Sequence, residues 1–268
     1  MNRIHLRYYV GYSIILASRL FCSVFDKLFW VALLPQRFSV IVWTPKEIDR
    51  YARTDWNSWE QVRNYATQDD WLTATEHVLA ERYFSNNGKL LNLACGAGRE
   101  ALLLARRGLR VTACDWSPRM IAEAQRRVQE ANLPVRFAVA DLYDLPYPEN
   151  AFDHLLLTNI AYSYVFPRWR RMRFLEKAYS MLKPGGVFII AFAQAANDPS
   201  AAERFLQRLF VRLRQHAPFN KDYEPGDRFA GTFVHCFQQD ELKQEFEEAK
   251  FIIKEWLCNQ GLAVLAKP

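Results

Sequence analysis

From about residue 88 onward, short apolar runs alternate with longer amphipathic ones. Residues 90–94, 110–113, 135–140, 151–159 and 187–193 are brief and mostly apolar, as strands covered on both faces are. Residues 99–107, 118–131 and 168–181 read as the helices between them. Strand and helix in alternation predict an α/β fold with a mostly parallel sheet and helices on both faces. Residues 240–250 form a last amphipathic helix, and 251–257 with 261–266 read as a closing antiparallel hairpin at the sheet edge. Residues 194–236 are longer than a plain return helix needs. They predict one helix over 201–214 and a loop with Pro218, Pro225 and Gly226, and read as an insertion forming part of a substrate cap.

The first 45 residues have a different pattern. Apolar runs are interrupted at Arg19 and again at Asp26-Lys27, so no stretch reaches the ~18–20 residues that span a bilayer. A helix over 4–34 would be apolar on most of its circumference, with Arg3, Arg7, Arg19 and Lys27 as basic points. Two readings compete, a helical cap packed on protein or an interfacial helix on an anionic membrane surface, and a transmembrane anchor is the third and least favoured because Arg19 and Asp26-Lys27 are costly in hydrocarbon. The membrane reading expects the full chain to pellet with anionic vesicles and a chain lacking residues 1–34 to stay in the supernatant. Residues 36–44 read as a connector with an extended-looking Phe38-Ser39-Val40-Ile41-Val42-Trp43. An aromatic, polar stretch follows (Tyr51, Trp56, Trp59, Tyr65, Trp71), then a helix from Thr73 to Tyr83.

Composition narrows the class without choosing a partner. The chain has 268 residues, half of them hydrophobic and 15% aromatic, which suffices for one large domain plus a cap. A formal charge of +6 admits anionic substrates, membranes or nucleic acid alike. Five scattered cysteines without CxxC or zinc-type spacing predict no structural metal and point to a reducing cytoplasm.

The chemistry centres on Leu91-Asn92-Leu93-Ala94-Cys95-Gly96-Ala97-Gly98, a strand running into a glycine turn and a helix start. Such a turn lets a ligand approach the main chain and the helix's unpaired N–H groups. By itself it also fits a dinucleotide fingerprint, with Asp115 at the acidic spacing, so a nicotinamide-dependent oxidoreductase stays open at this point. Asp115-Trp116-Ser117-Pro118-Arg119-Met120 follows the second strand, with Ser117 and Pro118 as cap and first helical residue. Asp115 can accept ribose hydroxyls there. Asp141-Leu142 follows the third strand, where a carboxylate can accept from an adenine amino group and Leu142 and Trp116 can face the ring.

These residues, with Ala140-Asp141-Leu142, Leu145-Pro146-Tyr147-Pro148-Glu149-Asn150-Ala151-Phe152-Asp153 and Leu182-Lys183-Pro184-Gly185-Gly186, resemble the class I S-adenosylmethionine-dependent methyltransferases. The closest pattern is the ubiquinone/menaquinone-biosynthesis-like branch. The resemblance is strong over residues 88–193 and weaker over 236–268. It implies a Rossmann-like seven-stranded sheet whose last strand is antiparallel, S-adenosyl-L-methionine as cofactor, and a turn at 182–186 before the fifth strand. The implied cofactor-binding residues are Asn92, Ala94, Cys95, Gly96, Gly98, Asp115, Trp116, Ser117, Met120, Asp141, Leu142 and Asn159. The family's usual acidic residue is replaced by Asn92 and one of its glycines by Ala94, which keeps a binding protein without turnover as an alternative.

Methyl transfer from a sulfonium needs alignment and exclusion of water, and a base only where the acceptor must lose a proton. His235, at the end of the insertion, and Tyr162, after the fourth strand, are the candidate catalytic residues; His154 reads as structural. Arg168, Arg170, Arg171 and Arg173 read as a solvated basic face. The absence of Asn-Pro-Pro-Tyr after the fourth strand disfavours nucleic-acid bases. The expected acceptor is a small molecule, lipidic or aromatic. No oligomeric state follows from the sequence.

Overall fold

A computed structural model describes residues 38–67, 72–196, 201–229 and 231–268. The N-terminal helix expected over 4–34 and Trp71 lie outside the described residues. The chain divides into two compact units, and each is taken by itself.

The larger unit comprises residues 55–165, 169–194 and 237–268. Its sheet has seven strands in the order β3-β2-β1-β4-β5-β9-β8. They are β1 Lys89–Leu93, β2 Arg110–Asp115, β3 Arg136–Val139, β4 Phe152–Leu157, β5 Leu182–Ala191, β8 Ile252–Leu257 and β9 Leu262–Ala266. Strands β1 to β5 pair in parallel, and β9 runs antiparallel between β5 and β8. The expected Rossmann-like arrangement is the observed one.

Apolar strands make two cores, one on each sheet face. Leu91, Leu93, Leu155 and Leu157 join Phe174, Phe188 and Phe246 on one side. Leu90, Val111, Ala113 and Leu156 join Leu79, Ala101 and Leu104 on the other. This two-sided burial is why the strands read as continuous apolar runs.

The helices of this unit follow from their caps. Thr73 and Glu76 make a reciprocal capping box that starts α3 (Ala74–Tyr83). Gly98, left-handed, starts α4 (Arg99–Arg106), and Ser117 caps α5 (Pro118–Glu130) with Pro118 in its first turn. Helices α6 (Arg168–Met181) and α8 (Gln239–Glu248) complete the layers.

Two expectations need correction here. Lys183-Pro184-Gly185-Gly186 is not a turn before β5 but lies inside it. Phe152 pairs with Leu182 and His154 with Val187, so the extra residues form a bulge in β5, with Gly185 at φ +76°. The basic face of α6 is also not wholly solvated. Arg171 is fully buried and its guanidinium meets Glu245 of α8 at 2.9–3.2 Å. His154 is structural, as expected: Ser85 N–H donates to its Nε2 at 2.9 Å, and its ring stacks on Phe84.

The smaller unit groups the described residues of 38–54, 166–168 and 195–236. Residues 38–42, expected as extended, are helical and lead into α1 (Pro45–Trp56). The β-branched side chains are accommodated because Val40, Ile41 and Trp43 sit in a core with Phe210 of α7 (Ala201–Leu213), Tyr223, Phe229 and Phe233. Asn220 ties the segments, its N–H donating to the Ile41 carbonyl at 2.7 Å and its Nδ2 to that of Val40 at 3.1 Å. A small antiparallel hairpin, β6 (Asp227–Phe229) and β7 (Phe233–His235), completes the unit. Among the described residues no helix is long and apolar enough to cross a membrane.

Removing Arg171 would leave Glu245 buried without its cation. Arg171→Met is expected to cost about 3–5 kcal/mol in chemical denaturation. A loss below about 1 kcal/mol would show that the pair contributes little.

Candidate active site

The glycine turn is built from three positive-φ residues: Ala94 at +49°, Gly96 at +51° and Gly98 at +81°. Gly98 has no room for a side chain, since a Cβ there would lie 2.9 Å from Ala124 Cβ and 3.3 Å from Phe137. Among the described residues a Cβ at Gly96 would meet only Tyr65, at 3.7 Å, so the main chain is approachable from that side. Cys95 N–H donates to the Cys114 carbonyl and Gly98 N–H to that of Cys95. Burial pushes the Cys95 thiol well above its ordinary range, which leaves it a packing group.

Asp115 organises the surroundings of this turn. Its Oδ2 accepts from Gly96 N–H at 2.9 Å and its Oδ1 from Ser117 N–H at 2.8 Å. Burial nevertheless raises its pKa to about 6, the two N–H groups opposing the rise. A carboxylate has about four acceptor positions. Two are used here, leaving roughly one per oxygen. Asp115 and Asp141 stand at neighbouring strand ends, where Ala140 N–H donates to the Asp115 carbonyl at 3.0 Å. Asp141 Oδ1 accepts from Tyr143 N–H at 3.0 Å in an Asx turn, and Leu142 packs on the core beside it.

Residues 55–67 close onto the turn. Ser58 caps α2 (Trp59–Ala66), which sets Val62 and Tyr65 against Ala97 and Met120. Ser117 Oγ donates to Asn57 Oδ1 at 2.7 Å, and Arg119 Nη1 to the Asn57 carbonyl at 2.8 Å. The Tyr65 hydroxyl accepts from Asn159 Nδ2 at 2.8 Å, and Trp56 packs on both Tyr65 and Tyr164. Burial raises the pKa of both tyrosines, so they stay protonated near neutral pH.

The structure therefore brings Ala94, Cys95, Gly96, Gly98, Asp115, Ser117 and Met120 to one turn, with Asn159 linked to it through Tyr65 and Asp141 and Leu142 at the adjacent strand end. Trp116 is half-buried between Asp115 and Ser117. Asn92 is fully buried in β1, and neither atom of its amide has a hydrogen-bond partner among the described residues. Such a group calls for a partner from outside the protein. Together with the open face of Gly96, it fits a bound cofactor. Near the start of α4, Glu100 accepts from Thr158 Oγ1 at 3.1 Å and pairs with Arg99 at 2.7 Å, all buried.

Tyr162 is corrected. It is fully buried, stacks on Phe237 and donates its hydroxyl to Glu245 Oε2 at 2.5 Å. It belongs to the core network of Arg171, not to a substrate rim. His235 belongs to the smaller unit and is described with it below. Asn57 and the buried Arg99–Glu100–Thr158 group went unread in the sequence. Ser58 with Gln61, a cap followed by an amide three residues on, was the available signal for α2.

Comparisons with known proteins point to one family. Residues 90–186 match a methyltransferase-domain family. The demethylmenaquinone methyltransferase of Thermus thermophilus is 30% identical over 188 residues, 66% of this chain and 80% of that protein. A SAM-dependent methyltransferase from Methanosarcina mazei superposes with a TM-score of 0.54 at 22% identity, covering 75% of this chain and 99% of its own. The 1,6-didemethyltoxoflavin N1-methyltransferase of Burkholderia thailandensis, solved with 1,6-didemethyltoxoflavin and S-adenosylhomocysteine, gives 0.59 at 19% identity, covering 84% of this chain and 91% of its own. The fold and these likenesses define a Rossmann-like methyltransferase. The chain belongs to the class I S-adenosylmethionine-dependent methyltransferases, in the quinone-biosynthesis-like branch, and its cofactor is S-adenosylmethionine.

The turn makes opposite demands at its two ends. Gly98→Ala is expected to cost about 2–3 kcal/mol from overpacking and the left-handed backbone. Ala94→Gly exchanges a left-handed cost of ~1–2 kcal/mol for a glycine entropy cost of ~0.5–1 kcal/mol. It is expected to leave stability unchanged or raise it slightly. Urea titrations of the two variants check both outcomes.

Proposed function

We propose that the protein transfers a methyl group from S-adenosylmethionine to a small, aromatic or otherwise apolar acceptor. The observation that carries this reading is the cluster of Trp56, Tyr65, Tyr164 and Asn159, which meets the glycine turn through Tyr65. These groups offer flat apolar faces and neutral polar tips, suited to a planar, uncharged ligand. The quinone-biosynthesis relative and the toxoflavin-methylating neighbour, each named for such a molecule, support the same class.

The proposed division of labour follows from the residues. The two remaining acceptor positions of Asp115 would take the ribose hydroxyls. Asp141 would accept from the adenine amino group, with Leu142, Trp116 and Met120 as its apolar surroundings. Gly96 and Gly98 would keep the main chain close to the amino-acid end, where Asn92 would offer its amide. When bound, the cofactor supplies a methyl group already activated by sulfonium. The protein's part is then alignment and exclusion of water, for which α2 over the turn is suited. Tyr65 and Tyr164, held protonated, would position an acceptor through hydroxyl donors and would not remove its proton. An acceptor that reaches the site already nucleophilic is the simplest match.

Calorimetry with S-adenosylhomocysteine, followed by labelled-methyl transfer to a panel of quinone, phenol and heteroaromatic acceptors, tests the reading. Transfer to none of these, despite cofactor binding, would favour a binding protein without turnover. A pH dependence is also expected. Ribose hydroxyls favour the ionised carboxylate, so bound Asp115 should titrate below its free value of about 6. Affinity should be level above pH 7 and fall as pH drops through 6, by at most about tenfold per unit. Asp115→Asn should bind more weakly and lose that slope.

A further inference from the structure

The smaller unit carries a cluster built around His235, which is fully buried beside an aspartate. Strands β6 and β7 pair so that Asp227 stands directly opposite His235. His235 Nδ1 lies 2.6 Å from Asp227 Oδ1, and both side chains are fully buried. Glu224 reaches the same place through a tight turn: Asp227 N–H donates to the Glu224 carbonyl at 3.0 Å, and Glu224 N–H to Asp227 Oδ2 at 2.7 Å. The turn depends on Gly226, at φ +110°, where a Cβ would fall 2.4 Å from the Cys236 carbonyl. One donor atom from each of Glu224, Asp227 and His235 lies within 4.8 Å of the other two.

An aspartate–histidine pair alone would explain two of these residues. The Glu224 carboxylate adds a third donor within the same 4.8 Å. Two like charges at this separation oppose each other, and the burial of Asp227 adds to the cost. A divalent cation removes that opposition by becoming the largest local charge. The donor set is one imidazole nitrogen and two carboxylates. Calcium and magnesium prefer oxygen alone, whereas mixed nitrogen and oxygen donors suit first-row divalent ions.

We propose that Glu224, Asp227 and His235 bind one divalent first-row transition-metal ion, with water completing its coordination. The ion would staple a hairpin of two three-residue strands, an element that is marginal without support. The proposal concerns the smaller unit alone and does not depend on which acceptor is methylated.

The test uses the untagged full chain, stripped with a chelator, then titrated with Zn²⁺ by calorimetry and Co²⁺ by absorbance. The expected result is one ion per chain, weak Co²⁺ ligand-field bands and no thiolate charge-transfer band. Glu224→Gln and His235→Gln should each weaken binding about tenfold or more, while Cys236→Ser leaves it unchanged. Circular dichroism and thermal melts report whether each variant folds. If His235→Gln does not fold, Glu224→Gln and the wild-type Co²⁺ spectrum decide. No binding by the wild-type chain would overturn the proposal. So would binding that survives Glu224→Gln, or a thiolate band that disappears in Cys236→Ser.

Discussion

One carboxylate holds the site together. Asp115 accepts an N–H from the glycine turn after β1 and another from the cap of α5, so a single side chain fixes the ends of two neighbouring strands relative to each other. Both partners are main-chain groups, which makes the geometry insensitive to the side chains nearby. The arrangement asks for an acceptor with several lone pairs in a buried place. The raised pKa is what that requirement costs, and the same feature makes the site responsive to acid.

Elsewhere the larger unit uses charge differently. Arg171, Glu245 and Tyr162 lie within an aromatic core and hydrogen-bond across α6, α8 and the segment after β4. A network of this type stabilises little compared with apolar packing, but a partner removed leaves a charge stranded. It couples two helices that share one core with β5 and β9.

The sheet was legible because its strands are buried on both faces and punctuated by strong caps. Ser117-Pro118 and Thr73 with Glu76 mark helix starts where the structure has them. The errors have local causes. Ser39-Val40-Ile41-Val42 has strand-like composition, yet packing of Val40 and Ile41 against Tyr223 and Phe229 favours a helix. Thr44-Pro45 with Glu47, a cap box closed at 2.8 Å, announced α1, and the aromatic residues that follow obscured it. In the site, the turn and Asp115 were readable because chain neighbours build them. The fates of Tyr162 and Arg171 were not, because Glu245 is more than 70 residues away. Asp227 lies eight residues from His235, a separation that one short hairpin closes.

The insertion leaves and rejoins the larger unit at one place. Gln194 bridges to Phe237, and Phe237 N–H donates to the Ala193 carbonyl at 2.9 Å. The excursion between them is already closed at its base, and closure entropy grows only slowly with loop length. Such a segment can be lengthened, shortened or exchanged with little disturbance to β5 or α8. A lineage carrying this scaffold could therefore rewrite one parenthesis in its sequence while the sheet and its glycine turn stayed untouched.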